Sequence, residues 1–190
     1  MKDKNFILAF IPARGGSKGI PKKNIIKLNN KPLIQYTLDL CKSNLNVDDY
    51  FVSTDSQEIK KVLSKLNYKN EYIRPKYLAN DAASIVDTVL HGVKWFENRN
   101  KVKVNSIILL QPTSPIRDIN KLNSAINFYK KNNLKSLFSI SNMRESPYES
   151  IEVSKNLTNW KYLKTPSKKM KRRQDYLKKF AFIDGSFYIT

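Results

Sequence analysis

Phe6-Ile7-Leu8-Ala9-Phe10-Ile11-Pro12-Ala13-Arg14-Gly15-Gly16-Ser17-Lys18-Gly19-Ile20-Pro21-Lys22-Lys23-Asn24 joins an apolar run directly to a glycine-rich, cationic loop. The run Phe6 to Ile11 reads as a β-strand. Three of the chain's 5 glycines lie in the loop that follows, beside Arg14, Lys18, Lys22 and Lys23. Glycine lets a backbone pass close to a ligand and present its N–H groups, and Arg and Lys neutralise phosphate oxygens. At the end of the first strand of an α/β sheet, that combination suits a triphosphate. The loop is not a Walker motif, since no Gly-Lys-Ser/Thr follows four residues after a glycine, and it lacks the Gly-x-Gly-x-x-Gly dinucleotide fingerprint. A glycine-rich turn with incidental charge is the plainer alternative.

Outward from the loop, strand character recurs at Tyr50 to Ser53, Tyr72 to Arg74, Ile107 to Leu110 and Leu137 to Ile140, and returns at Ser186 to Ile189. Amphipathic helical patterns fill the gaps at about Leu33 to Ser43, Gln57 to Leu66, Ile85 to Phe96 and Ile119 to Lys131. Asp55 followed by Glu58, and Ser84 followed by Asp87, resemble capping boxes at two helix starts. The alternation predicts α/β layers around a largely parallel sheet, with ligands bound at the carboxyl ends of the strands. After about Asn142 the pattern changes. Met143 to Lys179 has few apolar alternations, Pro147 and Pro166 as breakers, and a basic run from Lys164 through Lys168, Lys169, Lys171, Arg172, Arg173, Lys178 and Lys179. The segment reads as an arm or a disordered tail. The strand that follows it favours an arm that leaves the sheet and returns.

The chain has 190 residues, 41% of them hydrophobic and 11% aromatic, which predicts one domain with a sizeable core. No apolar run approaches the roughly 20 residues that span a bilayer, and the start enters a strand instead of a signal-peptide core, so the protein reads as cytoplasmic. A single cysteine, Cys41, and a single histidine, His91, exclude an internal disulfide, a Cys/His zinc cluster and a Cys-His pair with usual partners. Both read as helix residues packed in the core. Lys plus Arg number 35 against 16 acids, a net charge of +19. That charge attracts nucleic acid, anionic membrane, or a nucleotide with an acidic substrate, and does not choose among them. Lys/Asn-rich stretches such as Lys130-Lys131-Asn132-Asn133 read as solvated surface.

Ala13 to Asn24 resembles the signature of CMP-sialic acid synthetases, the acylneuraminate cytidylyltransferases. Further segments are similar in the order the family shows: Val52-Ser53-Thr54-Asp55, Arg74-Pro75, Leu78 to Ser84, Leu109-Leu110-Gln111-Pro112-Thr113-Ser114-Pro115-Ile116-Arg117, Arg172-Arg173-Gln174 and Asp184 to Ile189. The resemblance spans nearly the whole chain. It implies a three-layer α/β fold of the nucleotide-diphospho-sugar transferase type, built as a single domain over residues 1–190 with a projecting dimerisation arm at about 144–179. It also implies a reaction in which the anomeric hydroxyl of a nine-carbon acidic keto-sugar attacks the α-phosphorus of CTP and pyrophosphate leaves. The partners so implied are CTP, the sugar and a second copy of the chain, with no specific nucleic acid and no membrane.

By the same resemblance Arg14 and Lys18 are catalytic, and Arg14, Gly15, Gly16, Ser17, Lys18, Lys23, Asn24, Arg74, Asp81 and Ser84 bind the nucleotide. Such transfers depend on positioning and on neutralising charge that builds on the leaving group. Asp81 and Ser84 read equally well as helix caps. Gln111 precedes the turn Pro112-Thr113-Ser114-Pro115 and can donate to and accept from a polyhydroxylated sugar. The resemblance places it at the sugar with Arg173, Gln174 and Tyr188, where an arginine can clamp a carboxylate. Arg117 reads either as a site residue or as half of a structural ion pair. Mg²⁺ is the implied cofactor. Relatives carry its paired aspartates in a segment beyond the last strand, for which these 190 residues hold no counterpart. Asp55, Asp81 and Asp184 are the acids near motif positions. Phe180 to Asp184 also lacks a basic residue that the family has there. The rival readings are a ketodeoxyoctonate cytidylyltransferase, a truncated relative that binds nucleotide without turnover, and a basic nucleic-acid-binding domain.

Overall fold

The computed structural model describes residues 5–17, 19–156, 158–164 and 180–190. Lys18, Arg173 and Gln174 lie outside the described residues, as does all of the basic run after Lys164. The elements in chain order are β1 (Ile7–Pro12), the short hairpin β2 (Lys27–Leu28) and β3 (Lys31–Pro32), α1 (Leu33–Lys42), β4 (Asp49–Ser53) and α2 (Gln57–Lys65). There follow α3 (Ile85–Asn100), β5 (Ser106–Leu109), α4 (Ile119–Lys131), β6 (Leu137–Asn142), β7 (Ile151–Val153), β8 (Trp160–Tyr162) and β9 (Ala181–Ile189). The main sheet has the order β4-β1-β5-β9-β6. Strand β1 runs parallel to β4 and to β5, while β9 runs antiparallel to β5.

Period-two alternation along β1 sorts the core. Ile7, Ala9 and Ile11 project to one face and pack with Ile34 and Leu38 of α1, Ile59 and Leu63 of α2, and Leu122 and Ile126 of α4. Leu8 and Phe10 project to the other face, with Phe51, Tyr72 and the α3 residues Val89 and Phe96. The three layers expected from the sequence are therefore present. Cys41 is buried on α1, and burial pushes its thiol up to about 12, so it stays protonated and inert. His91 is half-buried on α3, and its Nδ1 meets the Tyr72 hydroxyl at 2.9 Å. No helix of the described residues is long and apolar enough to cross a membrane.

Tyr72 to Arg74, expected as a strand, is not one. The outer edge of β4 is taken by side chains: the Val52 N–H donates to the Tyr68 hydroxyl at 3.0 Å, and Asn70 Nδ2 donates to the Val52 carbonyl at 3.1 Å. With those groups satisfied, no further strand has a ladder to join. The expected cap of α2 also shifts by one residue. Ser56 Oγ accepts from the Ile59 N–H, while Asp55 turns to the glycine-rich loop.

The chain divides into two compact units, Met1–Phe138 with Gly185–Thr190, and Ser139–Asp184. Of the arm expected at 144–179, residues 144–156 and 158–164 are described and belong to the second. In that unit Ser139 and Ser141 donate their hydroxyls to the Asp184 carboxylate at 2.5 and 2.7 Å. Tyr148 is buried against Phe180. The hairpin β7–β8 pairs Ile151 with Tyr162 and Val153 with Trp160, so these four side chains share one face. Glu152 and Lys161 pair on the opposite face, 3.0 Å apart.

Gly92 is where α3 meets the sheet. A Cβ built there would lie 2.7 Å from Phe10 Cε2 and 2.9 Å from Phe51 Cε1, both within the core. Alanine is the better helix former by about 1 kcal/mol, yet overpacking of this kind costs about 1–3 kcal/mol. Gly92→Ala is expected to be destabilising on balance. Thermal denaturation followed by circular dichroism checks this, and an unchanged or raised midpoint would show that the two rings yield freely.

Candidate functional site

At the carboxyl ends of the three parallel strands lies a cavity of about 340 Å³. Arg14, Ser17, Lys23 and Asn24 of the glycine-rich loop form one wall, Arg74 with Leu78, Asn80 and Asp81 a second, and Gln111 to Thr113 a third. The first wall follows β1, the second follows β4, and the third follows β5. Residues more than 90 positions apart in sequence are thus gathered by the parallel order of the strands alone.

The loop is held by its own polar groups. Asn24, buried, donates from Nδ2 to the Arg14 carbonyl at 2.9 Å. The Gly15 N–H donates to Asp55 Oδ1 at 2.9 Å, and a Cβ at Gly15 would lie 2.8 Å from Ser56 Cβ. Gly15 is therefore required for close approach of the loop to the start of α2, and its N–H is committed within the protein. Gly16 is exposed, with nothing within 4 Å of a Cβ built there. Lys22, in the left-handed region at φ 53°, pairs with Glu58 at 2.6 Å and turns away from Lys23, which faces the cavity.

Two guanidinium groups face the same space by different means. Arg14 reaches across the cavity, Nη1 donating to the Asn80 carbonyl at 3.0 Å and Nη2 to Asp81 Oδ1 at 2.7 Å. This pair is partly exposed and accessible to a competing anion. Arg74 is buried and is held by neutral acceptors: Nε donates to Ser53 Oγ at 3.0 Å and Nη2 to the Ser53 carbonyl at 2.6 Å. Burial lowers its pKa most; the Asp55 charge opposes that shift, and the nearby Arg14 charge adds to it. Two like charges converging on one cavity make a receptor for a polyanion.

Ser84 caps α3, one of its two expected readings, its Oγ accepting from the Val86 and Asp87 N–H groups, and it is not among the residues that line this cavity. Arg117 forms no ion pair among the described residues. Its Nε donates to the Ser186 carbonyl at 2.7 Å, Nη2 to the Gln111 carbonyl at 2.6 Å, and Nη1 to the Thr37 hydroxyl at 3.2 Å. It ties the Gln111 rim to β9 and α1, and burial holds its pKa down to about 10, so it stays charged at neutral pH. Tyr188 does not line the cavity but borders an adjoining space that Gln111 shares. The sequence reading missed Thr88, which is buried, lines the cavity and donates its hydroxyl to the Ser84 carbonyl at 3.0 Å. Its place four residues after the helix cap, on the inward face, is the available signal. It also missed the Asn80 carbonyl, which no side-chain pattern announces.

The expected Mg²⁺ finds no donor set here. No three His, Cys, Asp or Glu side chains converge among the described residues. Of the acids nearest the loop, Asp55 is engaged by Gly15 and Asp81 by Arg14. These residues do not fit a metal, and no chemical step is assigned through one.

Residues 8–181 match the family described as cytidylyltransferase. The chain is 32% identical over 182 residues to the pseudaminic acid cytidylyltransferase of Campylobacter jejuni subsp. jejuni serotype O:23/36 (strain 81-176), covering 95% of this chain and 76% of that protein. It is 35% identical over 153 residues to the CMP-N,N'-diacetyllegionaminic acid synthase of Legionella pneumophila, covering 80% of this chain and 65% of that one. Among solved structures, a CMP:2-keto-3-deoxy-manno-octonic acid synthetase complexed with CTP aligns with a TM-score of 0.67 over 97% of this chain and 73% of that chain. At 18% identity this last likeness speaks to fold alone.

The two arginines are expected to part company on substitution. Arg14→Ala removes a partly exposed pair and changes stability by about 0–1 kcal/mol. Arg74→Ala removes two buried donors to Ser53, whose carbonyl keeps the Ala13 N–H, and costs about 1–3 kcal/mol. Urea denaturation of both variants checks this, and equal losses would mean that Arg74 is no internal clamp.

Proposed function

The chain belongs to the cytidylyltransferase family, and on that premise we propose that it transfers CMP from CTP to the anomeric hydroxyl of a nonulosonic acid. The observation that carries this reading is the placement of Arg14, Lys23 and Arg74 around one cavity at the ends of three parallel strands, with Gln111 on its far wall. The names of the matched relatives supply the sugar class.

In the proposed reaction the anomeric oxygen forms a bond to the α-phosphorus of CTP. The bond from that phosphorus to the bridging oxygen breaks, pyrophosphate takes the electron pair, and the hydroxyl proton is released. Arg14 and Lys23, with Lys18 of the same loop, neutralise the phosphates and the charge that grows on the leaving group. The triphosphate competes with Asp81 for Arg14, so a guanidinium already extended over the cavity is handed from one anion to another. The side of the cavity formed by Leu78, Asn80 and Thr88 is assigned to the base. Gln111 is assigned to the acceptor.

A homodimer is part of the proposal. Ile151, Val153, Trp160 and Tyr162 are all exposed on one face of the β7–β8 hairpin, an apolar surface that a second copy would cover. Sedimentation velocity is expected to show a dimer that Trp160→Ser weakens. A wild-type monomer at micromolar concentration would remove this part.

CTP is expected to bind more tightly than ATP or GTP in calorimetric titration, and Arg14→Ala is expected to weaken CTP by roughly 1.5–3 kcal/mol, as for a hydrogen bond to a charged group. Equal affinity for the three nucleotides would defeat the cytidylyl assignment. Unchanged binding in the variant would remove Arg14 from the phosphates.

A further inference from the structure

Arg74 is aimed into the nucleotide cavity largely by one residue, Ser53. The backbone N–H of Arg74 donates to the Thr54 carbonyl at 2.8 Å, which fixes the main chain and leaves the direction of the guanidinium to be set. Nε donates to Ser53 Oγ at 3.0 Å and Nη2 to the Ser53 carbonyl at 2.6 Å, a two-point hold that fixes the plane of the group as well as its position. The carbonyl cannot turn, because it also takes the Ala13 N–H at 2.8 Å. The hydroxyl can. Ser53 is fully buried, so the groups around it decide where its hydrogen points.

One of those groups is the Tyr72 hydroxyl. Burial raises the Tyr72 pKa most, and a hydrogen bond from the Ser53 side chain opposes that rise. Tyr72 is buried, its ring set edge-on against Phe51 and Trp95 with centroids 5.1 and 5.3 Å away, so the ring is fixed and only its hydroxyl hydrogen has a choice of direction. The same oxygen meets His91 Nδ1 at 2.9 Å. His91 in turn lines an open cleft of about 420 Å³ with Tyr77 and Asp87. Neither Tyr72 nor His91 lines the nucleotide cavity.

We infer that His91 is a positioning residue for the nucleotide: with Nδ1 bare and the proton on Nε2, it orders the hydrogens of Tyr72 and Ser53 so that Ser53 Oγ holds Arg74 in place. The inference rests on the nucleotide-binding reading of the cavity and carries its construction out to α3. Arg74 Nε can only donate, so Ser53 Oγ accepts from it and passes its own hydrogen to Tyr72, whose hydrogen passes to Nδ1. Every group in that order has a partner. A proton on Nδ1 would reverse it: Tyr72 would accept from His91 and donate to Ser53 Oγ, leaving the buried Ser53 hydrogen between two donors. The Arg74 Nε bond then weakens, and the guanidinium is held at one point instead of two.

His91 is the only histidine in the chain, so isotope-labelled histidine gives a single imidazole to observe. In mildly alkaline buffer, long-range proton–nitrogen correlation is expected to show the Nε2–H tautomer, and its nitrogen shifts are expected to move when CTP binds at the other end of the relay. In calorimetric titration, His91→Leu, which fills the space but offers no acceptor, and Tyr72→Phe, which keeps the ring, are each expected to weaken CTP about 3- to 10-fold, the worth of one internal hydrogen bond. The double variant is expected to weaken it no further than either alone. His91→Asn puts an oxygen near the place of Nδ1 and is expected to restore most of the affinity, although asparagine is the poorer helix former. A side chain that served only to pack would give the opposite order. Circular dichroism checks that the variants fold, and the tautomer is read on the unaltered protein. An Nδ1–H tautomer, additive losses, or His91→Asn no better than His91→Leu overturns the relay and leaves nucleotide binding standing. A wild-type protein that does not bind CTP removes the nucleotide reading and this role with it.

Discussion

Strand β1 has no side in contact with water. Ile7, Leu8, Ala9, Phe10 and Ile11 are each fully buried, and a strand enclosed on both faces and both edges can be satisfied only by a sheet neighbour on each side and helices above and below. Its backbone groups go to β4 and β5, its odd side chains to α1, α2 and α4, and its even ones to α3. Because both neighbours run parallel to it, three strands end at the same rim. The loops leaving that rim carry the charged residues, so the packing of five apolar side chains decides where the chemistry is placed.

At the rim, electrostatics works against the usual pairing of buried charge with opposite charge. Arg74 and Arg117 are held by carbonyl and hydroxyl oxygens. Such acceptors satisfy the N–H groups and cancel no charge themselves; at Arg74 the nearby Asp55 carboxylate offsets part of it. Burial lowers the pKa of both groups, yet Arg117 at about 10 remains a cation under physiological conditions. At Arg74, which lines the cavity, positive charge fixed in the frame rather than carried on mobile surface lysines favours an anion without a reorganisation cost.

What the sequence made legible was whatever depends on repeated pattern. The four helices follow from 3.6-residue periodicity, β1 and β5 from apolar runs, and the rim loop from its glycines and cations. What it hid depends on single competitions between polar groups. Asp55 had the spacing of a capping box but is drawn to the Gly15 N–H, leaving Ser56 to cap α2. Tyr72 to Arg74 had strand composition, and the hydroxyl of Tyr68 and amide of Asn70 reached the β4 edge first. Arg117 reads as a site residue or an ion-pair partner, and two of its three acceptors are backbone carbonyls that carry no residue signature. The β7–β8 hairpin, with three-residue strands, was too short to show a period.

The same competitions bear on why net charge is a poor guide to function here. A charge of +19 fits nucleic acid as well as it fits a nucleotide, but affinity for an extended polyanion needs cations spread along a path, whereas a triphosphate needs them converging on a point. Arg14 lies close enough to Arg74 for its charge to lower the Arg74 pKa, and the two are held by Asp81 on one side and Ser53 on the other. Removing a polyanion from such a point leaves repulsion that the fold must carry. Binding one relieves it, and occupancy and stability become linked through the same two side chains.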